Sequence, residues 1–137
     1  MNLARNNEMD ERAIDLDILR EFVGDDADIL KHFLGRFFDA LRTGMLNMRS
    51  MILLEQWTEV SALVHTLKTS ALAIGAVKFA TLCGAIEKLA ALPLTCESEI
   101  DPRKILIQEL NRSFIDVENA VNDVLPLVAP RWSTNES

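Results

Sequence analysis

From Asp26 to Leu54 apolar side chains return every three or four residues: Ile29, Phe33, Phe37, Leu41, Met45, Met48 and Ile52, with Leu30, Leu34 and Phe38 alongside. That spacing is the period of an α-helix. A strand cannot use it, because its faces alternate every second residue. The rest of the chain offers no competing signal: it contains no tyrosine, and its β-branched residues nowhere alternate with polar ones over a useful length. The expected fold class is all-α.

Breakers divide the pattern into helices. A short one is expected from about Leu16 to Phe22, with Asp15 as N-cap and Gly24 as stop. The long helix follows from about Asp26 to Leu54. Gly35 and Gly44 each weaken it by roughly 1 kcal/mol relative to Ala. The stripe keeps its phase across both, so one helix is expected, with Gly44 as the place where it would break. A third helix spans Trp57 to Ile74 and stops at Gly75, with Trp57 as a packing anchor. A fourth runs from Val77 to Leu92 with Phe79, Leu82, Cys83, Ile86 and Ala90 inward, and Pro93 prevents its continuation. After the loop "PLTCESEID", Asp101-Pro102 reads as N-cap and first-turn proline. The last helix carries Leu106, Leu110, Phe114, Val117, Val121 and Val124 and ends at Pro126. Four long amphipathic helices with short links pack as an antiparallel up-down four-helix bundle, the short extra N-terminal helix covering one end. Residues 1–12 are read as a flexible N-terminus or linker, 13–126 as the bundle domain and 127–137 as a polar tail.

Charge and composition narrow the function. Fourteen basic against 21 acidic residues leave a net charge of −7, and no basic patch offsets it. A nucleic-acid or anionic-membrane surface is therefore not expected. No apolar run approaches the ~18 residues of a membrane span, and "MNLARNNEMDERA" lacks the apolar centre of a signal peptide. Cys83 and Cys96 have neither metal-site spacing nor the pattern of a secreted disulfide framework, and a reducing cytoplasm is the simpler expectation.

The two histidines, His32 and His65, are the candidates for chemistry. With ~100° of rotation per residue, Val60, Leu63, Val64, Leu67, Ala71 and Ile74 share one side of the third helix, and His65 points roughly 150° from their centre. His32 is also turned outward, among Asp25, Asp28, Arg36 and Asp39, an ordinary solvated charged face. His65 has different neighbours: Ser61, Ala62, Thr69 and Leu72, with Lys68 one turn on. That face is flat and weakly polar with one positive charge, and an exposed leucine on it suits protein docking. A metal site in a bundle would use inward-pointing Glu-x-x-His pairs, yet Ile29 and Ala62 stand three residues before the histidines. A hydrolytic triad needs a concave pocket with an oxyanion hole, which a convex bundle face does not supply. Nucleophilic attack by the imidazole itself is left: a neutral ring can accept a phosphoryl group. Lys68 could balance its charge. No glycine-rich nucleotide loop exists, so the phosphoryl group would have to come from another protein.

The stretch "HTLKTSALAIGAVKFATLCGAIEKLA" resembles the signature of histidine-containing phosphotransfer (HPt) domains: a histidine, Lys three later, Gly-Ala about ten later, then a Leu-Cys…Glu helix. Here these are His65, Lys68, Gly75-Ala76, Leu82-Cys83 and Glu87. Upstream, "LDILREFVGDDADILKHFLGRFFDAL" is similar to the family's opening, and the resemblance extends from about Asp15 to Val124. It implies a phosphorelay intermediate rather than an enzyme. His65 would accept phosphate from a receiver-domain aspartyl phosphate and pass it to another receiver, the ring nitrogen remote from the backbone being the carrier. Lys68 would neutralise charge, and Glu87 would stand where a Gln often orients the ring. The chain itself would hold no cofactor, Mg²⁺ belonging to the partner receiver. A hybrid sensor histidine kinase would be a further partner, or the longer protein of which this chain is the cytoplasmic C-terminal part. Two positions depart from the family pattern. Thr69 stands where glycine is usual, and Leu72 where a small residue is usual. Both lie on the expected docking face of Ser61, Ala62, Thr69 and Leu72, which motivates an alternative expectation: a helical docking module that binds a non-receiver protein independently of phosphorylation.

Overall fold

The computed structural model describes residues 12–92 and 101–125. The expectations for residues 1–11, for Pro93 and most of the loop with Cys96, and for Pro126 and the tail lie outside the described residues. The rest forms five helices: α1 Leu16–Val23, α2 Ala27–Leu53, α3 Trp57–Ala73, α4 Val77–Ala91 and α5 Pro102–Val124. No strand occurs among the described residues. Helices α2 to α5 pack in an up-down ring, each against its chain neighbours, and α5 closes onto α2. The short α1 lies across the end where α3 turns into α4, and Leu19 is wholly buried there.

Three helices start as their side chains require. Asp15 accepts from the N–H of Asp17, Asp26 from those of Asp28 and Ile29, and Asp101 from that of Arg103 with Pro102 behind it. Arg103 also grips Asp101 with Nε and Nη2 at 3.1 and 2.9 Å. Its guanidinium lies 4.0 Å from the ring centre of Trp57, half-buried at the start of α3. One arginine thus ties the first turn of α5 to the first turn of α3 through a carboxylate and a cation–π contact.

The turns between α2, α3 and α4 share one chemistry. At the end of α3, Gly75 N–H donates to Leu72 C=O at 3.1 Å and Ala76 N–H to Ala71 C=O at 2.8 Å, with Gly75 at φ +72°. This is the Schellman arrangement, in which a left-handed residue lets the chain bond back onto the last turn. A β-carbon at Gly75 would also strike the backbone of Asp15, whose N–H donates to Ile74 C=O at 3.0 Å. Space and φ both demand glycine. The end of α2 repeats the pattern, with Glu55 N–H to Ile52 C=O at 3.0 Å and Gln56 N–H to Met51 C=O at 2.8 Å. Here the left-handed position, φ 56°, is held by Glu55.

The expected break at Gly44 does not occur: α2 is continuous. Gly44 is a packing device, since a β-carbon there would penetrate the side chain of Leu67, itself in the core on α3. The apolar stripe of α2 is also shifted from its expected centre. The buried row is Leu30, Leu34, Phe38, Leu41, Met45 and Met48, whereas Ile29 is 43% exposed and Phe33 and Phe37 are only partly covered. Those three form a second row about 100° around the helix. The inner row meets the bundle, where Phe38 stacks on Phe114 of α5 at 5.5 Å.

Two substitutions test this account by denaturant unfolding. Gly44→Ala should lower stability by about 1–2 kcal/mol despite its better helix propensity, because the methyl group overpacks the seam with Leu67. Glu55→Gly should raise stability by about 1 kcal/mol by relieving the left-handed backbone.

Candidate functional site

The turn at Gly75 folds α4 back along α3, so residues far apart in sequence come side by side. His65, in the middle of α3, keeps 62% of its side chain exposed. Its Nδ1 lies 2.9 Å from Oε2 of Glu87, which reaches across from α4. The other oxygen of the same carboxylate, Oε1, accepts from Nζ of Lys68 at 3.2 Å. Glu87 therefore bridges the two α3 side chains, and its own side chain is only 28% exposed. Beneath it, Ser61 Oγ–H donates to the backbone C=O of Glu87 at 3.1 Å, fixing the level of α4 against α3.

The electrostatics follow from these contacts. The Lys68 ammonium holds the Glu87 carboxyl below the usual carboxylate range, chiefly through its hydrogen bond. Partial desolvation opposes this, and the His65 ring assists. An ionised carboxylate can only accept, so His65 must donate Nδ1–H to it. In the neutral ring the lone pair then lies on Nε2, and most of the side chain is exposed. Cys83 lies in the core one turn before Glu87, where burial pushes its thiol up to about 12 and keeps it neutral. Among the described residues no three His, Cys, Asp or Glu side chains gather as a metal would require.

Two features of this face differ from the sequence reading. Lys68, for which the sequence reading named no partner, pairs with Glu87. The surface is also not flat. A shallow depression of ≈470 Å³ opens around His65 and Glu87, lined by Thr58, Ser61, Ala62 and Ala91. A second groove of ≈450 Å³ begins one turn beyond His65, where Thr69, Leu72 and Ala73 face Phe22 and Val23 of α1 and Phe33 and Phe37 of α2. This explains the displaced row of α2: two of its phenylalanines are groove walls. Leu72 is 46% and Phe22 71% exposed, so the groove is apolar and open to water. Of the expected docking residues, Ala62, Thr69 and Leu72 are exposed, whereas Ser61 is partly buried with its hydroxyl committed to α4. The groove's aromatic residues escaped the sequence reading, although two parallel apolar rows on α2 were a signal that one had a separate use. His32 is exposed and lies T-shaped to Phe33, with 5.4 Å between ring centres.

A family model for the Hpt domain matches residues 32–123, more than half of the chain. The chain belongs to the Hpt family. Hpt domains are helical modules of histidine phosphotransfer in two-component phosphorelays, where they meet receiver domains and kinases, and the five-helix architecture fits that family. No curated protein and no solved structure gives a significant match. No helix among the described residues is long and apolar enough to cross a membrane.

The carboxylate bridge has a measurable acid signature. A carboxyl held below its unfolded value contributes stability at pH above that unfolded value, and the contribution disappears as pH falls through the folded value. Lys68→Met should move the Glu87 titration, followed by ¹³C NMR of its carboxyl carbon, upward towards the ordinary range. His65→Ala should move it less, because Lys68 is the larger cause. The acid-side loss of stability should shrink accordingly in Lys68→Met.

Proposed function

We propose that this Hpt domain carries a phosphoryl group on Nε2 of His65, taken from an aspartyl phosphate of one receiver domain and given to another. The observation that supports this most directly is the pairing of Nδ1 with Glu87, which leaves Nε2 as the nucleophile on the exposed side of the ring. The lone pair of Nε2 attacks phosphorus, and the bond to the aspartyl oxygen breaks with its electrons returning to that carboxylate. The Nδ1 proton stays in place throughout, so no external base is needed. Lys68, 3.2 Å from the carboxylate that holds the ring, supplies positive charge near the transferring group. Mg²⁺ and the acidic pocket that holds it belong to the receiver. The chain acts as a carrier, and it meets its receivers in the cytoplasm.

Incubation with a phosphorylated receiver should move label onto the protein in acid-labile form. His65→Gln should reduce that label to background, and label persisting in this variant would reject His65 as the acceptor.

A second reading rests on the apolar groove beside His65, whose walls, Phe22, Phe33, Phe37 and Leu72, are poised for protein contact whether or not phosphate is present. Leu72→Asp buries a charge under any partner seated there, and should weaken its binding by about tenfold or more. If a partner binds His65→Gln as tightly as wild type in titration calorimetry, and fails to bind Leu72→Asp, the face serves phosphate-independent docking.

A further inference from the structure

A carboxylate that holds the imidazole ready for attack also sits beside the product of that attack. Its two oxygens are spent on His65 Nδ1 at 2.9 Å and Lys68 Nζ at 3.2 Å. The ring that attacks is the neutral form, so the trio then holds one cation and one anion. Afterwards the ring carries phosphoryl on Nε2 and a proton on Nδ1.

We propose that Glu87 makes phosphorylated His65 a short-lived, strongly donating species, by holding a negative charge and the ring's Nδ1 proton against the adduct. This rests on the reading of His65 as the phosphoryl carrier and concerns how long and how tightly it holds its load.

Three effects act in the same direction. First, the carboxylate and the dianionic phosphoryl group share one small ring, and like charges at that separation repel, the more so because Glu87 is partly shielded from water. Second, Lys68 is already engaged by Glu87, so it serves the phosphoryl group only by giving up an existing ion pair. Third, the carboxylate favours the protonated, cationic form of the adduct. When an oxygen nucleophile, either a receiver carboxylate or water, attacks phosphorus, the Nε2–P bond breaks and its electron pair returns to Nε2. With Nδ1 protonated, the departing group is neutral imidazole; without that proton it would be the far poorer imidazolate. A neutral amide at position 87 could still accept from Nδ1–H, but it would lack the repulsion, release Lys68 towards the phosphoryl group and favour the cation less. Glu87 is thus a positioning residue in the loading step and a destabiliser of the loaded state. The other titratable group packed nearby, the Cys83 thiol, is neutral and takes no part.

The test loads His65 with potassium phosphoramidate, a small phosphodonor that needs no partner protein, on the full chain at neutral pH. Loss of phosphoryl is followed by ³¹P NMR. Glu87→Gln should hold its phosphoryl group about tenfold longer than wild type, in keeping with removal of one adjacent charge. Lys68→Met, which leaves the carboxylate uncompensated, should lose it faster than wild type. A merely structural role for the trio would move both variants the same way. Equal or shorter lifetime in Glu87→Gln overturns the proposal, as does a longer lifetime in Lys68→Met. Because loading is chemical, these outcomes concern Glu87 alone, and the relay itself is decided separately by exchange with a receiver.

Discussion

The contacts around His65 depend on how closely and at what level α4 lies against α3. The chain reverses in three residues, Ile74 to Ala76, and only a residue without a β-carbon can turn there beneath Asp15. Two further contacts limit sliding. Ser61 bonds the backbone of Glu87 across the seam, and the Arg103–Trp57–Asp101 cluster ties the opposite end of α3 to α5. With the helices held at that level, a side chain 22 residues from His65 falls within hydrogen-bonding distance of its ring. A shift of one turn along the helix, about 5.4 Å, would leave the ring with no defined tautomer.

Burial and exposure are divided sharply on α3. Val60, Val64, Leu67 and Ala71 are lost to water entirely or almost so, while His65 one position away from Val64 remains in it. The bundle needs that helix for its core, and the core in turn supplies a rigid base for an otherwise solvated ring. Glu87 is in an intermediate position, neither buried nor free. There its charge is partly shielded and is paired with the Lys68 ammonium. The neighbouring groove follows a different logic. Its aromatic walls leave apolar surface that no other described residue covers.

The helices were legible because their signals are local. Asp15, Asp26 and Asp101 sit one residue before their helices and bond to amides two or three residues on, and Gly24 and Gly75 punctuate the ends. The end of α2 gave less warning, because Glu55 holds a conformation that glycine normally marks. Gly44 looked like a weakness when judged by propensity alone. Its purpose appears only opposite Leu67, a residue of another helix. The double apolar row of α2 was visible, but which row would be buried depended on where α1 and α3 came to rest.

The site divides along the same line. Periodicity alone turned His65 outward and separated its neighbours from those of His32, because the direction of a side chain on a helix follows from counting residues. Family likeness suggested Glu87 for the ring. The pairing of Lys68 with that same carboxylate, the inward use of Ser61 and the union of Leu72 with phenylalanines from two other helices were decided by tertiary structure. Each joins groups on separate helices, and their distances depend on the packing level and rotation of whole elements, which no local pattern encodes.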